Sequence, residues 1–124
     1  MTIAGLLIAL PLTSGADGRS YTGDKNVTHD CAAEPEVSIN TGDATVVVKG
    51  TCAKISINGG SNKVTLDGAK TLSVNGSTNR VIVVAADKIS VTGSDNQVTY
   101  KKGLSAAKPK VSAMGSGNQV TQAK

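Results

Sequence analysis

The sequence has no phenylalanine, no tryptophan and only two tyrosines, so aromatic residues make up 2% of its 124 residues. A globular core of this length normally buries aromatic side chains, each of which removes a large area from water. Their scarcity excludes such a core and favours a thin one of Val, Ile, Leu and Ala. Proline is also scarce, at three residues, and no segment has the periodicity of a crossover helix.

Cysteine and histidine are nearly absent, which limits the possible chemistry. Cys31 and Cys52 are the two cysteines and His29 is the one histidine. Two thiols and one imidazole, without a CxxC spacing, do not complete a zinc shell, so no metal or cofactor is expected. We predict a disulfide between Cys31 and Cys52, which is typical of exported proteins. The alternative is a reactive Cys31 paired with His29.

What the sequence does contain is a repeat. The segments 54–66, 71–83 and 88–100 align residue by residue, and their asparagines Asn62, Asn79 and Asn96 stand 17 residues apart. Within each copy, apolar residues alternate with polar ones, as in a half-buried strand, and a Gly-rich turn follows. A unit this small must stack on its neighbours to bury its apolar face.

The predicted fold class is therefore all-β: a single-stranded parallel β-solenoid of about six short coils, with a period of about 17 residues, over residues 17–124. Identical residues stack in such a fold, so we expect an asparagine ladder along the corner. Its members are Asn62, Asn79, Asn96 and Asn118. Gly23–Asn26 reads as a degenerate first copy of the same Gly-x-x-Asn turn.

Residues 1–16 differ from the rest. An apolar run, 3–12, precedes small residues that suit cleavage after Ala16, which indicates a secretory signal peptide although no Lys or Arg precedes the run. The alternative is an apolar cap over the first coil. The run is too short for a transmembrane segment. The favoured location is secreted, periplasmic or in the cell envelope.

The segments 26–31 (Asn-Val-Thr-His-Asp-Cys) and 50–52 (Gly-Thr-Cys), together with the serial Gly-Ser-x-Asn turns, resemble the bacterial domain of unknown function 3060 family. The resemblance covers about residues 19–122. It implies an exported bacterial protein, and it implies no activity and no catalytic residues. Ala44, where the corner asparagine is expected, departs from the pattern.

The function that these features favour is a non-enzymatic, exported or cell-envelope module that acts as a structural or binding surface. A polysaccharide-active enzyme of the lyase or glycosidase type is the first alternative. Such an enzyme needs two facing carboxylates. The candidate aspartates lie at or beside turns, where Asp is favoured anyway: Asp24, Asp43, Asp67, Asp87 and Asp95.

A second alternative is binding of an anionic polymer or lipid through a basic patch. The patch comprises Lys101, Lys102, Lys108 and Lys110. Nucleic acid is disfavoured because no aromatic residues are interleaved for base stacking. Other expected partners are an envelope protein, a polysaccharide, or a second copy of the chain at the exposed solenoid ends.

Overall fold

The computed structural model describes residues 19–105 and 107–123, so the predicted signal peptide or cap at residues 1–16 lies outside the described residues. Nine strands account for most of this part of the chain. They are β1 (Arg19–Thr22), β2 (Asn26–Asp30), β3 (Glu36–Asn40), β4 (Thr45–Gly60), β5 (Lys63–Ser77), β6 (Arg80–Ser94), β7 (Gln97–Lys102), β8 (Lys110–Ser116) and β9 (Gln119–Gln122). No helix that could cross a membrane is present among the described residues.

Every strand pair is parallel, and each strand pairs with the strand one winding further along the chain. The chain thus winds into six coils, which we number 1 to 6: 19–35, 36–53, 54–70, 71–87, 88–109 and 110–123. Ile55, Leu72, Ile89 and Val111 stand in register in successive coils. The predicted parallel β-solenoid is confirmed.

The core is a stack of aliphatic side chains inside the coils. Its fully buried members come from the alternate positions of the repeat: Ile39, Ile55, Ile57, Leu66, Leu72, Ile89, Val46, Val48, Val64, Val74, Val81 and Val83. Polar side chains between them point outward, because successive residues of a strand face opposite sides. No aromatic side chain is needed within coils 2 to 4, since small aliphatic groups fill the narrow interior.

The two ends of the solenoid differ. In coil 1, Tyr21 and the buried His29 close the core, and the Arg19 guanidinium lies 5.3 Å from the Tyr21 ring centre. In coil 6, every residue of β8 is exposed, including Val111 and Met114. The C-terminal end therefore leaves both its core columns and its strand edges uncovered within the described residues.

Coil 1 also departs from the predicted turn. Asn26 pairs with Thr45, one position past the corner, so Lys25 occupies the place that Ala44 and Asn62 take in the next two coils. The turn between β1 and β2 is one residue shorter than the others, which shifts the register. In place of an asparagine amide, the Lys25 ammonium group at this corner donates to the Gly42 carbonyl at 2.8 Å.

Candidate functional site

An asparagine ladder runs along one corner of the solenoid. Each side-chain amide donates to the carbonyl oxygen of the asparagine one coil further on, from Asn62 to Asn79, Asn96 and Asn118, at 3.0–3.1 Å. The same oxygen accepts the backbone N–H of the preceding asparagine. The first three asparagines are buried, so the ladder satisfies backbone groups that water cannot reach.

The ladder ends at Ala44, and the corner there is still held by hydrogen bonds. Its backbone N–H donates to the Asn62 side-chain oxygen at 3.1 Å, and the Asn62 amide donates to the Thr41 carbonyl at 2.8 Å. The Asn62 side chain of coil 3 thus bonds to the backbone of coil 2, and coil 2 contributes no asparagine of its own. The ladder links the coils, because each side-chain amide also donates to a backbone carbonyl of a preceding coil.

A second asparagine ladder was not predicted from the sequence. Asn75 donates to Asn58 at 3.1 Å, and Asn58 donates to Asn40 at 2.9 Å. These residues stand 17 and 18 apart, so the repeat period itself was the signal that could have identified them. They lie on the outer surface next to a column of serines.

The disulfide is present between Cys31 and Cys52, and both residues are buried. His29 does not pair with a thiol: its Nε2 lies 2.8 Å from the Glu34 carbonyl and its Nδ1 lies 2.9 Å from the Tyr21 hydroxyl. Since the carbonyl only accepts, Nε2 carries a proton and donates to it, so both ring nitrogens of His29 are engaged away from the cysteines. The alternative of a reactive Cys31–His29 pair is therefore wrong in this structure.

Replacing both cysteines with alanine should lower the free energy of unfolding by about 3 kcal/mol, since the crosslink spans 21 residues and restricts the unfolded chain. Urea unfolding monitored by circular dichroism measures the change. Reduced wild-type protein should match the double variant, and the double variant should not respond to reductant. A difference below about 1 kcal/mol would show that the crosslink adds little to folding.

The four lysines of the predicted basic patch lie around one loop of coil 5. Lys101 and Lys102 end β7, Lys110 begins β8, and all four side chains are exposed. The Gly103 N–H donates to the Ala107 carbonyl at 3.2 Å, which brings together the chain segments that carry Lys102 and Lys108. The structure thus places the patch at the C-terminal end of the solenoid.

Asp87 anchors this loop. Its carboxylate accepts the Ser105 backbone N–H at 2.7 Å and the Ser105 hydroxyl at 2.9 Å. The Ser105 backbone N–H is the largest cause that lowers the pKa of Asp87 below its ordinary value of 3.8, followed by the hydroxyl. The carboxylate is therefore ionised at neutral pH and acts as a loop anchor.

Replacing Asp87 with asparagine should free the loop and speed hydrogen exchange of the Ser105 amide severalfold, because the anionic acceptor is lost. Because folding lowers the pKa of Asp87, the stability that this carboxylate contributes is present at pH above its ordinary value of 3.8. It is lost as the pH falls further, through the folded-state pKa. NMR hydrogen exchange at pH 6 measures the effect. Asp67→Asn is the matched control, because the Asp67 carboxylate likewise accepts a backbone N–H, that of Gly50, at 3.0 Å. Equal Ser105 exchange in both variants would contradict the anchoring role.

Asp43 and Asp95, two of the carboxylates considered for a glycosidase, do not form a facing pair. Asp43 and Asp95 occupy the same turn position, with φ of 55° and 57°, in coils 2 and 5. Three strand spacings, about 14 Å, separate them, which exceeds the roughly 6.5–9.5 Å of an inverting pair. Asp67 and Asp87 each accept a hydrogen bond from the backbone N–H of a neighbouring loop or turn. No group of three or more metal-ligating side chains occurs in the part of the chain that is described.

The outer surface repeats from coil to coil. One outward column, which we call the serine column, is in register through all six coils: Ser20, Ser38, Ser56, Ser73, Ser90 and Ser112. Beside its N-terminal end, Arg19, Glu36 and Lys54 line a shallow polar depression. The surface is therefore a regular lattice of hydroxyls and amides with a spacing of about 4.8 Å between coils.

These features define a class: a disulfide-linked, single-stranded parallel β-solenoid with an asparagine ladder at one corner. The family model described as "Protein of unknown function (DUF3060)" matches residues 39–85 and 69–117, which together span well over half of the chain. The chain belongs to this family, as the resemblance of its turns indicated. A search of the curated proteins finds no match, and neither does a search of the solved structures.

Proposed function

We propose that the protein is a non-enzymatic module of the cell envelope or the secreted fraction, a rigid element that offers a regular surface for binding. The observation that carries this proposal is the serine column, which presents one identical hydroxyl per coil over six coils. A surface that repeats suits an extended, repeating partner such as a polysaccharide. Catalysis, by contrast, needs unlike groups brought together at one point.

The rigidity of the stacked coils supports the same proposal. Two asparagine ladders run along the stack, and the disulfide joins coils 1 and 2. Each coil is thereby fixed to the next by side-chain contacts in addition to strand pairing. A preorganised surface loses little entropy when an extended ligand binds to it. The disulfide also suits an oxidising compartment outside the cytoplasm.

The experiment is a polysaccharide panel assayed for both binding and turnover. We expect retention of the protein on at least one insoluble envelope polysaccharide and no release of reducing or unsaturated ends. Ser73→Arg should weaken retention, whereas Thr65→Arg, on the same strand β5 but in another outward column, should not. Turnover that disappears when one aspartate is replaced would overturn the proposal in favour of an enzyme.

A second candidate function is binding of an anionic polymer or lipid by Lys101, Lys102, Lys108 and Lys110. It is favoured by the clustering of these exposed lysines around one closed loop. Binding to vesicles with anionic lipid should then fall as salt is raised, because the attraction is screened over about 10 Å at 0.1 M. Replacing Lys102 and Lys108 with glutamine should remove it, while Lys54→Gln and Lys63→Gln should not.

A further inference from the structure

Charge is distributed unevenly along the solenoid axis. Coils 1 and 2, residues 19–53, carry three basic and five acidic side chains, a net charge of −2. Coil 5 and the described part of coil 6, residues 88–123, carry five basic and one acidic side chain, a net charge of +4. The first end of the stack therefore attracts the last end of another copy, and each end repels its own kind.

Coil 6 presents unpaired backbone groups in register. In parallel strands, successive residues direct their backbone groups alternately to the two neighbouring strands. The Gln119 N–H donates to coil 5 at 2.8 Å, and the Ser116 carbonyl accepts from coil 5 at 3.0 Å. The N–H and C=O of Val120 and Ala113 therefore point away from the stack, where no strand of the described chain reaches them.

Coil 1 presents the complementary set of backbone N–H and C=O groups at the other end of the stack. The Gly23 and Cys31 N–H groups donate to coil 2, at 3.2 and 2.8 Å. By the same alternation, Ser20 and Thr22 in β1, and Asn26 and Thr28 in β2, direct their backbone groups away from coil 2. A strand edge of this length is a template for another chain, and proline and bulges are absent from β1, β2, β8 and β9.

The side chains of the two ends continue each other's columns. If coil 6 preceded a further coil with the sequence of coil 1, in the register of all the other pairs, like residues would stack on like at several positions. The matched pairs are Ser112 with Ser20, Gln119 with Asn26, Val120 with Val27, and Thr121 with Thr28. Three pairs would be unlike: Arg19 would follow Val111, Tyr21 would follow Ala113, and His29 would follow Gln122. The Arg19 guanidinium lies over Tyr21 and 3.8 Å from Glu34, at the rim.

We propose that the protein associates with itself head to tail, coil 6 of one copy stacking on coil 1 of the next. In this arrangement the Ala113 N–H donates to the Ser20 carbonyl of the next copy, and the Val120 N–H donates to its Asn26 carbonyl. The contact joins two different surfaces and continues the coil axis from one copy to the next, so successive copies add in a line and yield a filament. Stacking of two C-terminal ends is disfavoured because two surfaces of charge +4 would meet. The proposal is independent of any polysaccharide binding.

The test blocks one end at a time with proline. Ala113→Pro removes an N–H on the open side of coil 6, and Thr28→Pro removes one on the open side of coil 1. Neither N–H contributes to pairing within the fold, and proline is tolerated at such edge positions. By sedimentation equilibrium, the full-length wild type should grow with concentration well beyond a dimer. Each variant alone should remain at 12.4 kDa, and an equimolar mixture should form a species of twice that mass.

Each outcome has a definite meaning. A wild type that stays monomeric at millimolar concentration overturns the proposal, as does a wild type that stops at a dimer. A Thr28→Pro variant that dimerises alone would show C-terminal ends meeting each other, which also overturns it. Far-ultraviolet circular dichroism equal to that of the wild type confirms that each variant is folded before its mass is interpreted.

Charge provides an independent measurement that does not depend on proline. Lys110 and Lys54 belong to the same outward column, the first at the open end and the second inside the stack. Lys110→Glu should weaken association about threefold at 0.1 M salt, whereas Lys54→Glu should change it less, because charges beyond about 10 Å are screened at that ionic strength. Equal effects of the two variants, or an association constant that does not fall with salt, would contradict the head-to-tail geometry.

Discussion

Replacing Asn79 with alanine is expected to lower the free energy of unfolding by roughly 2–4 kcal/mol. The Asn79 side-chain oxygen accepts the Asn62 backbone N–H and its amide, both at 3.1 Å, and Asn79 is 1% exposed. Alanine would leave those donors buried without an acceptor, and it would also remove the bonds from Asn79 to Gly59 and Asn96, both at 3.0 Å. Urea unfolding monitored by circular dichroism measures the change.

Asn75→Ala is the matched control, since it removes the same atoms in the same coil. Asn75 is exposed and makes one side-chain bond, to Asn58 at 3.1 Å. Water can replace that bond, so the loss should stay below about 1 kcal/mol. If both variants lost the same stability, burial of the corner ladder would not be what makes it stabilising.

The fold could be predicted from the sequence because the repeat supplies the same information several times. Any one Gly-Ser-x-Asn turn is ambiguous, but three in register assign the strands, the inward columns and the corner of Asn62, Asn79 and Asn96 together. The structure adds that each corner asparagine serves a backbone N–H of its neighbour. That role depends on side-chain direction, which spacing alone does not specify.

Where the repeat fails, prediction from sequence fails with it. The shortened turn of coil 1 moved Asn26 out of the corner and placed Lys25 there, and no second copy of that turn exists for comparison. The anchoring of the coil 5 loop by Asp87 and Ser105 depends likewise on an insertion that occurs once. Both features result from local geometry that a periodic pattern cannot encode.

The corner turns also explain why glycine recurs at one position of the repeat. Gly59, Gly76 and Gly93 stand directly above one another with φ of 128–135°, a region that L-residues rarely adopt. A Cβ built on Gly76 would overlap the carbonyl group of Gly59 in the coil before it. A side chain at this column would therefore point into the neighbouring coil, and none fits between the two backbones.

Replacing Gly76 with alanine should accordingly cost about 4 kcal/mol or more, because the backbone strain and the overlap with a neighbouring carbonyl act together. Gly60→Ala is the control in the adjacent column: its Cβ would lie 3.3 Å from the Ser77 carbonyl oxygen, and serine already occupies the equivalent position as Ser77. That variant should lose no more than about 1 kcal/mol. Thermal and urea unfolding of both proteins give the comparison. Equal stability of the two variants would mean that the coils can separate at this corner, and that their close stacking is not what requires glycine there.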